Sequence, residues 1–197
     1  LKQYVKILSF YKMNEFQIHL NDNGFPQFFG DDWNRTYAPF RLESERFPGL
    51  TAKDGSYSKQ EFIDLQRMGL EYGVRIIPEI DIPAHSLAFA HYKPEIASRK
   101  YGMDHLDLNK KETYQFVDSL LDEYLSGDNP VFIGDLHIGT DEYNKKEAEQ
   151  YRYFTDRYLK FVEKYGKNVR MWGGLKWLPS KTPVKAEGVT VNAWSYD

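Results

Sequence analysis

The chain has 197 residues, enough for one domain with a core of its own. Its formal net charge is −3, with Lys and Arg scattered rather than clustered, which argues against nucleic acid or an anionic membrane as the main partner. It has no cysteine, which excludes disulfides and thiolate metal sites, and no apolar run approaches the length of a membrane span.

Apolar spacing predicts a helix from Leu1 to about Lys12; the opening residues Leu1 to Lys6 lack the apolar stretch of a signal peptide. Glu15–Leu20 reads as the first strand. The segment from Asn21 to about Tyr57 is rich in Gly, Pro, Asp and aromatics and is too long for a mere connector, so it is expected to be a functional loop. Its Phe28, Phe29, Trp33, Tyr37 and Phe40 suit either a substrate groove or packing of the loop on the body of the protein. Ser58-Lys59-Gln60-Glu61 is a capping box heading a helix that Gly73 ends. A strand begins at Val74-Arg75-Ile76-Ile77-Pro78, and a loop with a short helix leads to a helix from about Lys110 to Leu125. The run Val131–Ile138 predicts a buried strand, Lys145–Tyr165 a long helix, Val169–Trp172 the next strand and Val189–Trp194 the last.

Strands alternating with helices favour an α/β fold with a parallel sheet. Five strands fall short of the eight in a closed (β/α)8 barrel, which leaves an open doubly wound sheet or an incomplete barrel. In either fold the carboxyl ends of the strands are where chemistry is done. Polar clusters stand at three such ends: His19-Leu20-Asn21-Asp22, then Glu79 to His85 with Asp81, then Asp141-Glu142. Any one of them could be an ordinary loop, but three together point to a shared pocket. Trp172, Trp177 and Trp194 follow later strands and would add aromatic walls. The adjacent carboxylates Asp141 and Glu142 suggest acid/base work, most simply on a glycosidic bond. Taken alone, they would serve equally as the acidic first turn of the following helix. His137 reads as a hydrogen-bonded core histidine. No two histidines have the spacing of a zinc site, so neither metal nor cofactor is expected.

His137-Ile138-Gly139-Thr140-Asp141-Glu142 resembles the signature of family 20 glycoside hydrolases, the β-N-acetylhexosaminidases and lacto-N-biosidases, whose usual form is His-Ile-Gly-Gly-Asp-Glu. His19-Leu20-Asn21-Asp22 and the segment from Tyr72 to Asp81, with Pro83 and His85, resemble two further motifs of that family in the same order. Thr140 stands in place of a glycine and Ala84 in place of the glycine before His85.

The resemblance implies an incomplete (β/α)8 barrel. Residues 1–197 would form a single partial catalytic domain running from the first helix to the sixth strand, with the family's first-strand arginine before Leu1 and its later pocket residues after Asp197. It implies retaining hydrolysis of terminal β-linked N-acetylhexosamine or lacto-N-biose-type residues, with the substrate's own 2-acetamido oxygen as nucleophile. Glu142 would be the general acid and Asp141 would orient the acetamido group. Asp22, Asp81 and His85 would support the pair, and Trp172 and Trp194 would bind substrate. The partner is then an oligosaccharide or glycoconjugate, and a secreted or cell-surface bacterial location is suggested. A non-catalytic carbohydrate-binding module is the competing reading. The uncovered sheet edges predict self-association of the isolated chain.

Overall fold

The computed structural model describes residues 1–194; the sequence from Val189 onward reads as a strand entering a loop, and residues 195–197 of that reading lie outside the described residues. Helix α1 (Lys2–Phe10) leads to strand β1 (Glu15–His19). The capping box is formed in full at the head of helix α2 (Lys59–Glu71): the Glu61 amide donates to Ser58 Oγ at 3.1 Å and the Ser58 amide to Glu61 Oε2 at 2.8 Å. Gly73 follows with φ +70°, a left-handed turn that delivers the chain into strand β2 (Arg75–Ile82). Helix α3 (Leu87–Tyr92) and a short antiparallel hairpin, β3 (Ala97–Ser98) with β4 (Gly102–Leu106), precede helix α4 (Lys111–Leu125). Strand β5 (Leu136–Gly139), helix α5 (Ala148–Glu163), strand β6 (Val169–Trp172) and strand β7 (Val189–Asn192) complete the order.

Five strands form one parallel sheet in the order β1-β2-β5-β6-β7. In a flat sheet β1 and β7 would stand about 19 Å apart, four spacings of about 4.8 Å. Yet Asn192 Nδ2 on β7 donates to Gln17 Oε1 on β1 at 3.0 Å, and Arg170 on β6 grips Glu15 on β1 at 2.7 and 2.8 Å. The sheet therefore curls until its two edges exchange hydrogen bonds across a polar interior. This is an arc of a (β/α)8 barrel, not an open doubly wound sheet.

The outer face carries the apolar core. Phe62 and Leu65 of α2, Phe116 and Leu120 of α4, and Phe154 and Leu159 of α5 are buried with Ile76, Ile80, Leu136 and Ile138 of the strands. The long segment after β1 is pinned to this core. Phe40 is fully buried against Phe89 and Tyr124, so it packs and does not line a groove, whereas Phe28 is exposed. Glu123 of α4 accepts from Ser44 Oγ and the Glu45 amide, each at 2.6 Å, and pairs with Lys59 at 2.8 Å.

Three expectations are corrected. Strand β5 is only four residues long, because Val131 to Asp135 is spent elsewhere. Gln66 takes the Val131 carbonyl and the Ile133 amide, Tyr124 takes the Phe132 amide, and Asp135 turns to Arg170. The segment expected as loop before α4 holds the hairpin β3–β4, whose strands of two and five residues carry no alternating pattern. The helix expected from Lys145 starts as a 3-10 turn (Lys145–Glu147), where Asn144 Oδ1 accepts the Lys146 amide, and becomes α-helical only at Ala148.

Candidate active site

The site is built on the carboxyl ends of β1, β2 and β5. Asn21, buried, fastens the end of β2: its Nδ2 donates to the carbonyls of Asp81 (2.9 Å) and His85 (3.0 Å), and its Oδ1 accepts the Asp81 amide (2.9 Å). Asp81 is thereby fixed beneath the turn that leaves β5. A Cβ at Gly139 would lie 1.8 Å from Asp81 Oδ1, so this position, with φ +67°, admits glycine alone. Burial, and then the charge of Asp141, raise the Asp81 carboxyl well above the usual range.

The turn itself is strained. Thr140 (φ 77°) and Glu142 (φ 52°) are left-handed without being glycine, as is His85 (φ 52°). Side chains in that region cost roughly 1–2 kcal/mol each, and such residues gather where surrounding structure holds them for function. Here the holding groups are visible. The Thr140 amide donates to Asp81 Oδ1 at 3.3 Å, and the buried Tyr151 of α5 donates its hydroxyl to the Thr140 carbonyl at 2.5 Å.

Strain on both sides aims three side chains at one point. His85 Nε2 lies 3.2 Å from Glu142 Oε2 and 3.8 Å from Asp141 Oδ2, both close contacts without hydrogen-bond alignment. On its other nitrogen, His85 Nδ1 meets Asp22 Oδ1 at 3.0 Å. Asp22 accepts the Asn23 amide and also touches His19 Nε2, at 3.0 Å. Although burial alone would raise it, the two imidazoles hold Asp22 far below the ordinary carboxylate range, and His85 is pushed up to about 9 by Asp22 and neighbouring carboxylates against the opposing effect of burial. Asp141 is raised chiefly by burial, and its Oδ1 is buried with no hydrogen-bond partner among the described residues. Glu142 is the more exposed member of the pair, with 57% of its side chain accessible against 18% for Asp141. One carboxylate is therefore sheltered and the other open to solvent.

Trp172 and Trp194 divide. The Trp172 indole turns into the barrel interior and donates to Glu79 Oε1 at 2.7 Å. Trp194 is half exposed, donates to the Gly173 carbonyl at 2.8 Å, and joins Trp177, Leu178 and Lys145 around a cleft of about 220 Å³ that takes in Asp141 and Glu142. Asp22, Asp81 and His85 lie behind that cleft and do not line it. A roomier hollow of about 410 Å³ lies on the far side of Tyr143, among paired charges such as Lys100–Glu147, away from the carboxylate pair.

Two trios, His19/Glu79/Asp81 and Asp81/His85/Asp141, bring donor atoms within 4.8 Å of one another. Both His19 nitrogens and His85 Nδ1 already sit against carboxylates, an ion-pair arrangement that uses the lone pairs a metal would need. His137 is a buried core histidine as expected: its Nδ1 accepts the Gly139 amide at 3.0 Å. Sequence reasoning gave no role to His19, Glu79, Asn21 or Tyr151. For the first three the available signal was their place in strand-end clusters; Tyr151 sits on a helix face that reads only as core.

Residues 1–197 match the profile of glycosyl hydrolase family 20, catalytic domain. A β-hexosaminidase of Akkermansia muciniphila is 26% identical over 233 residues, covering 98% of this chain and 44% of the relative. The solved family 20 β-N-acetylhexosaminidase of Streptomyces coelicolor superposes with a TM-score of 0.77 at 25% identity, over 100% of this chain and 39% of that one. A mutant Streptomyces plicatus β-hexosaminidase in complex with the product N-acetylglucosamine gives the same TM-score, 0.77, at 25% identity and the same coverage. The chain thus spans less than half the length of these relatives. With its motifs, its curled parallel sheet and the match over its whole length, the chain belongs to glycosyl hydrolase family 20.

Proposed function

We propose that this chain supplies the acid and the acetamide-orienting carboxylate of an enzyme that removes terminal β-linked N-acetylhexosamine residues. The observation that carries the reading is the convergence of Asp141 and Glu142 on His85 Nε2, with Asp141 sheltered and Glu142 open. Two carboxylates from adjacent residues of one turn are poorly placed to flank a sugar ring as nucleophile and acid. They suit a mechanism in which the substrate's 2-acetamido oxygen attacks the anomeric carbon, an established exception to the two-carboxylate scheme. Glu142 would protonate the leaving oxygen while the acetamido oxygen closes on C1. Asp141 Oδ1 would accept the acetamido N–H and offset the positive charge that grows on the ring so formed. Water then opens that ring, with Glu142 returning as base, and the configuration is retained. Trp172 and Trp194 would bound the sugar site, and Asp22, Asp81 and His85 would support the pair from behind. A terminal lacto-N-biose-type unit, whose own N-acetylhexosamine carries the 2-acetamido group at the bond cleaved, fits the same chemistry.

The test compares an aryl N-acetyl-β-glucosaminide with the matching aryl β-glucoside, using the full-length parent and this chain. We expect the parent to hydrolyse only the first; equal rates would overturn the substrate-assisted reading. A parent that binds the sugar and hydrolyses neither would favour the carbohydrate-binding alternative. The isolated chain exposes the edges of β1 and β7, with Val191 and Trp194 about half accessible, and unpaired strand edges recruit other chains. It is expected to self-associate and to be weakly active or inactive; a monodisperse monomer by light scattering would refute this.

A further inference from the structure

The contacts behind Glu142 do not end at Asp22. Asp22 spans two imidazoles, with Oδ1 on His85 Nδ1 and Oδ2 on His19 Nε2, each at 3.0 Å. His19 Nδ1 in turn stands 3.0 Å from Glu79 Oε2. Glu79, buried in the barrel interior, also accepts from Gln17 Nε2 at 2.8 Å and from the Trp172 indole at 2.7 Å. Carboxylates and imidazoles thus alternate along one file, Glu142, His85, Asp22, His19, Glu79, which ends on the Trp172 indole.

The charge on the inner half can be assigned from hydrogen bonding. His137 Nδ1 lies 3.5 Å from Glu79 Oε1, but that nitrogen already accepts the Gly139 amide and so carries no proton. His137 is buried and held neutral, its proton affinity lowered to about 4. His19 is then the cation that faces Glu79. It faces Asp22 as well, with Asp81 close by, and these carboxylates push it up to about 10 although burial opposes them. His85 faces Asp22, Asp81, Asp141 and Glu142. A carboxylate shared between two imidazolium groups binds each less tightly than it would bind one.

Resting on the functional reading above, we propose that His19 and Glu79 are positioning residues for the Glu142 acid, acting through Asp22 and His85 and tying that acid to the Trp172 wall. A purely structural ion pair would matter for stability only. The file instead couples the two histidines: removing the His19 charge leaves Asp22 to His85 alone and raises the proton affinity of His85.

The test uses the full-length protein with isotopically labelled histidine, read by NMR titration, alongside rates on an unactivated alkyl and an activated aryl N-acetyl-β-glucosaminide. In His19→Gln the His85 titration is expected to rise by about half a unit or more, and His19→Lys, which restores the cation, to return it toward its original value. In Glu79→Gln the His19 titration should fall by about one unit, a tenfold loss of proton affinity. His19→Gln should slow the alkyl substrate roughly tenfold, part of the 10²–10⁴ that a general acid supplies, and the aryl substrate by no more than about threefold. The alkaline limb of the alkyl rate should move up in pH in His19→Gln, which removes a cation, and down in Glu79→Gln, which removes an anion. General damage to the fold would not move the two limbs in opposite senses. A His85 titration indifferent to His19, with hydrolysis intact, overturns the relay. Absence of hydrolysis in the unmutated parent overturns the functional reading instead, and with it the relay's role, whether or not the histidines couple.

Discussion

The two ends of the curled sheet hold polar networks of similar density and different kind. At the amino ends of the strands, Arg170 bonds Asp135 at 2.7 and 2.9 Å and Glu15 at 2.7 and 2.8 Å, with Arg75 also on Glu15 and Asn168 on Asp135 at 3.1 Å. At the carboxyl ends, the carboxylates meet imidazoles. A guanidinium cannot give up its proton in a protein, so the lower network can only hold. An imidazole can, so the upper one can both hold and move a proton. The backbone leans the same way: His85, Thr140 and Glu142 are left-handed at the upper end, whereas among the described residues the lower end has one such non-glycine, Lys12 in the turn before β1. Chemistry at the carboxyl face and stability at the opposite face is the division expected of a barrel.

That contrast is broken first by Asp141 and Glu142, the two carboxylates proposed to act on the substrate. In the full-length protein, Glu142→Gln should slow substrates with poor leaving groups by about 10²–10⁴ and those with good ones far less, because only the former need a proton. Asp141→Asn should slow both kinds, because the acetamido group acts on either. Neither should shift the unfolding midpoint much, since the turn stays anchored through Thr140 and Gly139. An equal loss for every leaving group in Glu142→Gln would show that the acid lies elsewhere.

The opposite result is expected at the base. Arg170 is 7% exposed, and Arg170→Met leaves Asp135 and Glu15 facing each other with only the half-exposed Arg75 beside them. Removing one partner of a buried pair costs about 3–5 kcal/mol; the partial exposure of Glu15 places this case near 3. Denaturant unfolding should show that loss, while the leaving-group dependence of the remaining activity stays as it was. Between the two networks stands Tyr151, whose hydroxyl holds the strained turn from α5. Tyr151→Phe strands a buried carbonyl and should cost about 1–2 kcal/mol, with a several-fold loss in rate common to all substrates. If stability falls and the rate does not, the turn keeps its shape without the anchor.

Local chemistry explains how much of this could be read in advance. The capping box at Ser58 and Glu61, the strand Val169–Trp172 and the pair Asp141-Glu142 each declare themselves within a few residues. The curl of the sheet does not: it rests on Arg170 with Glu15 and Asn192 with Gln17, joined across 155 and 175 positions. The pairing of His19 with Glu79 likewise depends on the register of β1 against β2, in which the two lie side by side. The position of Trp172 at a strand end suggests a sugar wall; that its indole is held by Glu79 depends on the fold. Val131–Asp135 misled because a run of apolar residues looks the same whether its backbone pairs with a strand or, as here, with Gln66 and Tyr124.

The smallest expected effect is the one that separates the two networks by pH. His19 and His85 ordinarily lose their protons near 6.5; in the folded chain they hold them to about 10 and about 9. A group whose proton affinity is raised by folding stabilises the fold fully below its unfolded value and loses that contribution as pH climbs toward the folded one. Stability should therefore decline between about pH 6.5 and 10, and His19→Gln should flatten that decline without abolishing it, since His85 remains. His19 is more than a third accessible, so solvent weakens the effect and salt should weaken it further. Arg170→Met should lower the whole curve and leave its slope over that range untouched, because no group at the base gives up a proton there. Urea midpoints measured every half unit of pH compare the three proteins directly. Parallel slopes for the parent and His19→Gln would mean that His19 is not a cation in the folded state, and the upper network would then be as fixed as the lower one.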